Sequence, residues 1–258
     1  MGPKVVGIVN ITEDSFSDGG KYLNPEKAIA QVKKLIEDGA DILELSGASS
    51  NPNSEPVPAS EQIVRVEPVA GALSVPISID ASNVDVQKWA LARGFAYLND
   101  ITGFPDSTIY QDLARAKTKL VVMHKMSSTD KADRSPNTTG EVLASIDSFF
   151  EQRISALEKA GISRERLIID PGMGFFLSSD PAPSFAVLAR LAELKKRFGL
   201  PLMVSVSRKS FLRGSAHADS PEVAERTLSA ELSAAKQGVD FIRTHDVGPL
   251  KKFLKTVA

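Results

Sequence analysis

Cysteine is absent from this chain of 258 residues. Disulfides, thiolate nucleophiles and metal centres with cysteine ligands are therefore excluded. The sequence also has no apolar run near the ~18 residues that a membrane-spanning helix needs, and no apolar secretory segment near its start. We therefore expect a soluble, cytoplasmic protein with no membrane partner.

Neither sign of charge predominates, because 31 Lys and Arg residues are matched by 32 Asp and Glu residues. A protein that coats nucleic acid would carry a strong basic excess, so no nucleic-acid partner is expected. A small anionic ligand held by a few local cations remains compatible with this balance. Histidine is scarce as well: the three histidines form neither a His-x-His nor a His-Glu-x-x-His motif, which disfavours a metal-dependent hydrolase.

Eight short apolar runs rich in β-branched residues recur along the chain. Such continuous apolarity is typical of strands buried on both faces of a parallel sheet. The runs cover residues 5–10, 40–46, 76–80, 96–100, 119–124, 166–170, 201–207 and 241–245. Their starts lie on average roughly 34 residues apart, which is the size of one strand–helix–strand step.

Apolar residues at helical spacing fill the gaps between these runs. Three such stripes, at 28–36, 142–157 and 185–198, are each followed by a glycine, as at a helix C terminus. Shorter helices are predicted at 61–73, 84–93, 108–117, 225–237 and 249–257. Eight alternating units without a linker favour a single (β/α)8 TIM barrel over residues 1–258. A doubly wound sheet is the alternative, but no G-x-G-x-x-G or P-loop motif is present.

Polar residues stand at the end of every predicted strand. They include Asn10, Glu44 and Ser46, Asp80, Asn99, His124, Asp170, Ser207, Arg243 and His245. The longest irregular segments, 11–24, 47–60, 125–139 and 208–222, also follow strands. In a barrel these residues and segments gather at the C-terminal face, where active sites lie.

The residue types at these strand ends suggest a phosphorylated heterocyclic ligand. Asp80, Asn99 and Asp170 supply acceptors that can read the N–H edge of a flat heterocycle. Lys209, Arg243 and His245 follow the last two strands, where barrels often bind phosphate. We therefore expect an acidic side and a cationic side on the same rim.

Each candidate also has a structural interpretation. Asp80 could cap the following helix, Asn99 could form a turn, and Asp170 could belong to the turn at Pro171-Gly172. Arg208 and Lys209 could form a solvated basic pair. His124 and His245 could be buried histidines of the core. Residues 127–140 are predicted to form a flexible loop rather than a binding site, and His217 is expected to have no role.

Several segments resemble the dihydropteroate synthase family. Residues 9–20, VNITEDSFSDGG, are similar to the first-loop signature of these enzymes. Further motifs follow in the family's order: SID (78–80), LND (98–100), MH (123–124), DPGMGF (170–175), SRKSF (207–211) and IRTHD (242–246). The resemblance covers nearly the whole chain, and the combination of DSFSDGG with SRKS is the specific signal.

The resemblance implies a transferase of folate biosynthesis that joins 7,8-dihydropterin pyrophosphate to p-aminobenzoate, giving dihydropteroate and pyrophosphate. It implies that Asp80, Asn99, Asp170 and Lys209 hold the pterin. Pyrophosphate would be held by Asn10, Arg243 and His245, with Mg²⁺ at or near Asn10. The p-aminobenzoate pocket would involve Phe16, Ser50, Pro52, Phe175 and Ser207. Catalysis is expected from Asp80, Asp170, Lys209, Arg243 and His245, and a homodimer is expected.

The chain departs from the usual family pattern at several positions. Asn51 replaces an arginine in the second loop, Phe176-Leu177 replaces Gly-Lys, and Ser46 and Glu44 stand where Gly and Asp are common. Asn51-Pro52 and the doubled phenylalanine resemble the sulfonamide-insensitive synthases encoded by acquired resistance genes. Our hypothesis is that Phe175-Phe176 narrow the p-aminobenzoate pocket, admitting a compact carboxylate but excluding a sulfonamide.

Three further functions remain open at this point. A non-enzymatic pterin-binding paralogue would not need the pyrophosphate side. A pterin-dependent methyltransferase domain would share the barrel without Ser207-Arg208-Lys209. A Schiff-base aldolase would use Lys209, with its pKa lowered by Arg208.

Overall fold

Eight parallel strands alternate with helices in the computed structural model, which describes residues 2–12, 23–51, 53–71, 73, 75–127 and 129–256. The strands are β1 (Lys4–Asn10), β2 (Ile42–Ser46), β3 (Ile77–Asp80), β4 (Tyr97–Asp100), β5 (Lys119–Met123), β6 (Leu167–Asp170), β7 (Met203–Val204) and β8 (Phe241–Thr244).

The helices within these ranges lie between the strands and after the last one. They are α1 (Pro25–Glu37), α2 (Ala59–Ala70), α3 (Val84–Ala92), α4 (Tyr110–Arg115), α5 (Thr139–Lys159), α6 (Pro181–Ala189), α7 (Leu191–Phe198), α8 (Ser210–Arg213), α9 (Pro221–Lys236) and α10 (Val247–Leu254). Short 3₁₀ turns occur at Ser107–Ile109, Arg164–Arg166 and Gly174–Phe176. No helix in the described ranges is long and apolar enough to cross a membrane.

The sheet closes on itself. Its strand order is β6-β5-β4-β3-β2-β1-β8-β7, with parallel pairing throughout, so that β1 contacts both β2 and β8. A parallel bridge between Ile169 and Leu202 joins β6 to the β7 segment. The predicted (β/α)8 TIM barrel is therefore confirmed, and a doubly wound open sheet is excluded.

One predicted helix is two helices in the structure. The apolar stripe at 185–198 continues across a break at Arg190, where the backbone has φ −105° and ψ 8°. The Arg190 N–H donates to the carbonyl of Val187, three residues back, so the chain tightens locally without rotating its apolar face away. Strand β7 is also shorter than the predicted 201–207, because residues 205–207 leave the ladder to form the start of a turn.

An apolar plug closes the amino end of the barrel interior. It consists of one buried side chain from each of seven strands: Val6, Ile42, Tyr97, Val121, Ile168, Met203 and Phe241. Side chains alternate across a strand, so residues two positions further on face the same interior. Five of those seven residues are polar, namely Glu44, Asn99, Asp170, Ser205 and Arg243. The interior therefore changes from apolar to polar within one layer.

Candidate functional site

A cavity of about 590 Å³ lies above this polar layer, at the carboxyl ends of the strands. Residues that end or follow all eight strands line it. Ten of the twelve predicted site residues are among them: Asn10, Ser50, Asp80, Asn99, Asp170, Phe175, Ser207, Lys209, Arg243 and His245. Phe16 and Pro52 lie outside the residues that the structure describes.

Arg243 lies among the carboxylates rather than apart from them. Its Nε donates to Glu44, and its Nη2 donates to Oδ2 of Asp80 at 3.0 Å. The expected division of the rim into an acidic side and a cationic side is therefore wrong. Opposite charges interleave because a buried carboxylate needs a paired cation close by, and the barrel interior is narrow enough for β8 to supply it to β2 and β3.

The carboxyl groups of Asp80 and Asp170 are strongly perturbed. Burial, with repulsion from Glu44, raises the pKa of Asp80, while the charge of Arg243 acts in the opposite direction. Burial raises the pKa of Asp170 to about 6, although the backbone N–H of Gly172 donates to its Oδ1 at 2.8 Å. Perturbed carboxyl groups in a cavity are typical of a functional site.

The turn after β6 requires glycine at position 172. Its φ is +72°, and a Cβ there would lie 2.3 Å from the carbonyl oxygen of His124. Both the left-handed backbone and the close approach of the β5 loop exclude a side chain. This turn therefore places the Gly172 N–H against the Asp170 carboxylate.

Asn99 presents one end of its amide to the cavity floor. Its Nδ2 lies 3.3 Å from Oε2 of Glu44, while its buried Oδ1 has no hydrogen-bond partner among the described residues. A carboxylate can only accept, so the nitrogen must face Glu44 and the oxygen is left as an acceptor. Asp80, Asn99 and Asp170 thus all offer acceptors.

A strained turn separates Ser207 from Lys209. Arg208 between them has a positive φ of 58°, which is uncommon for a residue with a side chain. Its N–H donates to Thr227, and its guanidinium donates to Asp219 at 2.6 Å and to Asp246 at 2.9 Å. Arg208 and Lys209 are therefore not a solvated basic pair.

Lys209 is half-buried and faces a different neighbour from Arg208. Its Nζ lies 4.6 Å from the ring centroid of Phe176, a cation–π contact. Burial and the charge of Arg243 lower the pKa of Lys209 to about 8.

His245 is neutral in this environment. Burial and the surrounding cations Arg208, Arg243 and Lys209 lower its pKa well below the usual value. Its Nδ1 lies 2.9 Å from Oγ of Ser207, which also accepts from the His245 backbone N–H at 3.2 Å. The Ser207 hydroxyl therefore pairs with both the ring and the backbone of His245.

Glu44 and Ser205 are functional candidates to which sequence reasoning assigned no role. Glu44 is fully buried beneath the cavity, and Ser205 lines it with an Oγ that lacks a partner among the described residues. Both lie two residues after a residue of the apolar plug: Glu44 follows Ile42, and Ser205 follows Met203. This spacing is the signal that identifies them. It becomes visible only when the strands are in register.

The loop after β5 forms one wall of the cavity. Lys131 and Ala132 line it, the Ala132 N–H donates to Ser50 at 3.0 Å, and the Asp133 N–H donates to Phe175 at 3.1 Å. The expectation that residues 127–140 take no part in a binding site is therefore wrong for Lys131 and Ala132, which line the cavity. Composition is polar here, so the sequence gives no sign that backbone groups will anchor the loop.

Contacts decide the structural interpretations of Asp80 and of the histidines. Asn83, not Asp80, caps α3, accepting from Asp85 N at 2.9 Å. His124 is fully buried outside the cavity lining, with Nδ1 3.2 Å from the Pro171 carbonyl and Nε2 2.9 Å from Ser145 Oγ. His217 is exposed.

We predict that His124 makes stability depend on pH. Burial lowers its pKa from 6.5 to about 4, so on acidification the unfolded chain takes up this proton first and stability falls between these values. The full effect is roughly 3 kcal/mol. His124→Asn should flatten the slope of unfolding free energy between pH 7 and 4.5, measured by urea denaturation.

His217→Asn is the matched control at an exposed histidine and should leave the wild-type slope unchanged. Equal slopes for wild type and both variants would contradict the assignment of the pH dependence to His124.

A family model described as pterin binding enzyme matches residues 6–245. Among curated relatives, the dihydropteroate synthase type-2 of Escherichia coli is 51% identical over 257 residues, covering 98% of this chain and 94% of the relative. The dihydropteroate synthase type-3 of Escherichia coli is 46% identical over 255 residues, covering 98% and 97%.

Solved structures agree with these relatives. A crystal structure of the Yersinia pestis dihydropteroate synthase with a sulfonamide drug superposes with a TM-score of 0.87 at 31% identity, covering 99% of this chain and 93% of that one. The chain therefore belongs to the pterin-binding enzyme family and, within it, to the dihydropteroate synthases.

Proposed function

We propose that the cavity binds 7,8-dihydropterin pyrophosphate over its polar floor and p-aminobenzoate beside its outer wall. The observation that carries this proposal is the set of three acceptors, Asp80, Asn99 and Asp170, on one buried floor. A pterin ring presents N–H donors along one edge, which such a set satisfies by paired hydrogen bonds. Lys209 donates to an acceptor of the same ring from the β7 turn.

The pyrophosphate is assigned to Asn10, Arg243 and His245. Within the described residues, Nη1 of Arg243 has no hydrogen-bond partner, so it can donate to a phosphate oxygen while Nε and Nη2 hold Glu44 and Asp80. The lowered pKa of His245 favours its neutral form, so this side chain would contribute a hydrogen bond rather than a charge. The p-aminobenzoate is assigned to the region of Ser50, Phe175 and Ser207, with Phe16 and Pro52 as predicted contributors.

In the reaction, the C–O bond between the pterin methylene and the pyrophosphate breaks, and its electron pair leaves with pyrophosphate. The carboxylates of Asp80 and Asp170 offset the positive charge that develops on the pterin. The lone pair of the aromatic amine then forms the C–N bond, and the proton that the nitrogen loses passes to water. Because an arylamine is already nucleophilic, no strong general base is required.

Mg²⁺ is proposed as the cation of the pyrophosphate side. No group of three or more His, Asp or Glu side chains suited to a metal occurs among the described residues. The single amide of Asn10 at the cavity rim still fits, because Mg²⁺ commonly takes one or two protein oxygens together with substrate phosphates and water. When bound, the ion would neutralise charge on the leaving pyrophosphate.

The proposed reaction is tested with purified protein, dihydropterin pyrophosphate and p-aminobenzoate. We expect dihydropteroate and pyrophosphate in equal amounts, loss of turnover on adding a chelator, and recovery on adding Mg²⁺. The same gene should restore growth of a synthase-deficient bacterium without added folate products. A soluble protein that neither turns over nor rescues growth would exclude the synthase activity and favour the pterin-binding paralogue.

A single domain, a cytoplasmic location and a homodimer complete the proposal. The single domain follows from the eight alternating units, the location from the lack of long apolar segments in the sequence, and the homodimer from the family resemblance. Sedimentation velocity of the purified chain distinguishes a dimer from a monomer.

We predict a bell-shaped pH profile of kcat/KM for the free enzyme. Asp170, with a pKa of about 6, and Asp80, whose pKa burial also raises, lose their negative charge as the pH falls, and Lys209, with a pKa of about 8, loses its charge as the pH rises. Lys209→Arg should move the alkaline limb upward, because guanidinium keeps its charge, even if the rate falls.

Lys34→Arg on the exposed face of α1 is the control and should leave both limbs in place. An alkaline limb that stays near pH 8 in Lys209→Arg would show that another group controls it.

We propose further that Phe175 and Phe176 make the enzyme insensitive to sulfonamides. Phe176 is buried among Ile101, Met123 and Ala132, and Arg134 lies over the Phe175 ring at 5.3 Å. Backbone hydrogen bonds join the β5 loop to the carbonyls of Phe175 and Phe176 at 3.1 and 2.9 Å. They support a rigid wall that does not move aside for a bulkier ligand. A narrow rigid pocket is a means of discrimination.

Phe176→Gly should lower the sulfonamide concentration for half inhibition by roughly tenfold or more, in line with the discrimination that an apolar pocket provides. Phe95→Gly, before β4 at the opposite end of the barrel, controls for general destabilisation. Unchanged inhibition in Phe176→Gly, or a wild type that is already fully sensitive, would reject the hypothesis.

A further inference from the structure

Glu44 connects three other strands beneath the cavity without lining it. Its side chain is fully buried. It accepts from Ser78 Oγ on β3 at 3.0 Å, from Asn99 Nδ2 on β4 at 3.3 Å, and from Arg243 Nε on β8. One carboxylate from β2 thus receives a donor from β3, β4 and β8.

This contact fixes the orientation of the Asn99 amide. The terminal torsion of asparagine is broad and nearly two-fold, so the side chain can present either its donor or its acceptor to a neighbour. Glu44 can only accept, and therefore selects the orientation with Nδ2 downward and Oδ1 toward the cavity. Without this partner, the Asn99 amide is free to rotate and turn its NH2 group toward the cavity. That group would then face the N–H donors of the ligand and could not accept a hydrogen bond from them.

The same carboxylate determines where Arg243 lies. Because Glu44 holds Nε of Arg243, the guanidinium contacts Asp80 through Nη2 only. If Glu44 carried no charge, the buried guanidinium of Arg243 would pair mainly with Asp80. This pairing would draw the Asp80 carboxylate away from a ligand. Both effects change the floor on which the pterin is proposed to lie, without any contact between Glu44 and the substrate.

We propose that Glu44 is a positioning residue that sets the hydrogen-bond polarity of the pterin site, by holding Nδ2 of Asn99 and Nε of Arg243. This inference rests on the proposed placement of the pterin over Asn99. It assigns a role in substrate affinity to a side chain outside the cavity.

The test is a reciprocal exchange of donor and acceptor. Glu44→Gln removes an acceptor oxygen, and Asn99→Asp removes the donor, so each alone should raise the KM for dihydropterin pyrophosphate by roughly tenfold or more. In the double variant, the amide introduced at position 44 can donate to the carboxylate introduced at position 99, whose second oxygen again faces the cavity as an acceptor. The double variant should therefore recover most of the lost affinity.

The KM for p-aminobenzoate is the internal reference and should change less than about twofold in all three variants, because the lost hydrogen bonds belong to the pterin floor. Glu231→Gln is the matched control at another buried glutamate, on α9 outside the barrel interior. Burial raises the pKa of Glu231 to about 8, so it is already largely uncharged at pH 7 and the substitution should leave both KM values unchanged.

The outcomes separate the two proposals. Single variants that lose pterin affinity, with a double variant no better than the worse single, would overturn the role of Glu44 alone. If neither single variant changes the KM for the pterin substrate, the placement of the pterin over Asn99 fails. Should Glu44→Gln not fold, recovery in the double variant relative to Asn99→Asp still decides the question.

Discussion

The apolar plug at the amino end of the barrel is the constraint on which the site depends. Because side chains alternate along each strand, seven plug residues determine which residues face the barrel interior one layer above. The plug also keeps water from the underside of that layer. Burial is accordingly the largest cause of the shifted pKa of Asp80, Asp170, Lys209 and His245.

The polar floor is stable only as a set. Arg243 bridges Glu44 and Asp80, and Glu44 in turn receives donors from Ser78 and Asn99. Removing any one member leaves a buried donor, acceptor or charge without its partner, which costs more than the bond itself contributes. The same mutual dependence preorganises the acceptors, so a ligand meets them already oriented.

The sequence predicts the barrel and most of the candidate site because these depend on local signals. Buried parallel strands appear as continuous apolar runs, and polar residues at their ends mark the C-terminal face. The hydrogen-bond partners of Glu44 and the place of Ser205 in the cavity lining could not be predicted in this way, since the direction of each side chain depends on register. Nor could the pairing of Arg243 with Asp80, which are 163 residues apart in sequence.

Two other features escape the sequence for different reasons. The break between α6 and α7 preserves the apolar stripe, so periodicity does not reveal it. The left-handed turn at Arg208 depends on Thr227, Asp219 and Asp246, which are distant in sequence. Family motifs located Ser207 and Lys209 correctly in the cavity lining, but only the fold explains why they face different neighbours.

Three of the bonds that hold the β5 loop to its neighbours join backbone atoms alone: Met126 and Asp133 donate to the carbonyls of Phe176 and Phe175, and Ala132 donates to that of Ser50. Every residue except proline carries the same backbone donor. Such a wall tolerates wide drift in the side chains at these positions while keeping its place. Differences in amino-acid sequence along this loop are therefore a poor measure of how far the shape of the pocket has changed. Similarity of sequence in the loop likewise does not guarantee that two enzymes respond alike to an inhibitor.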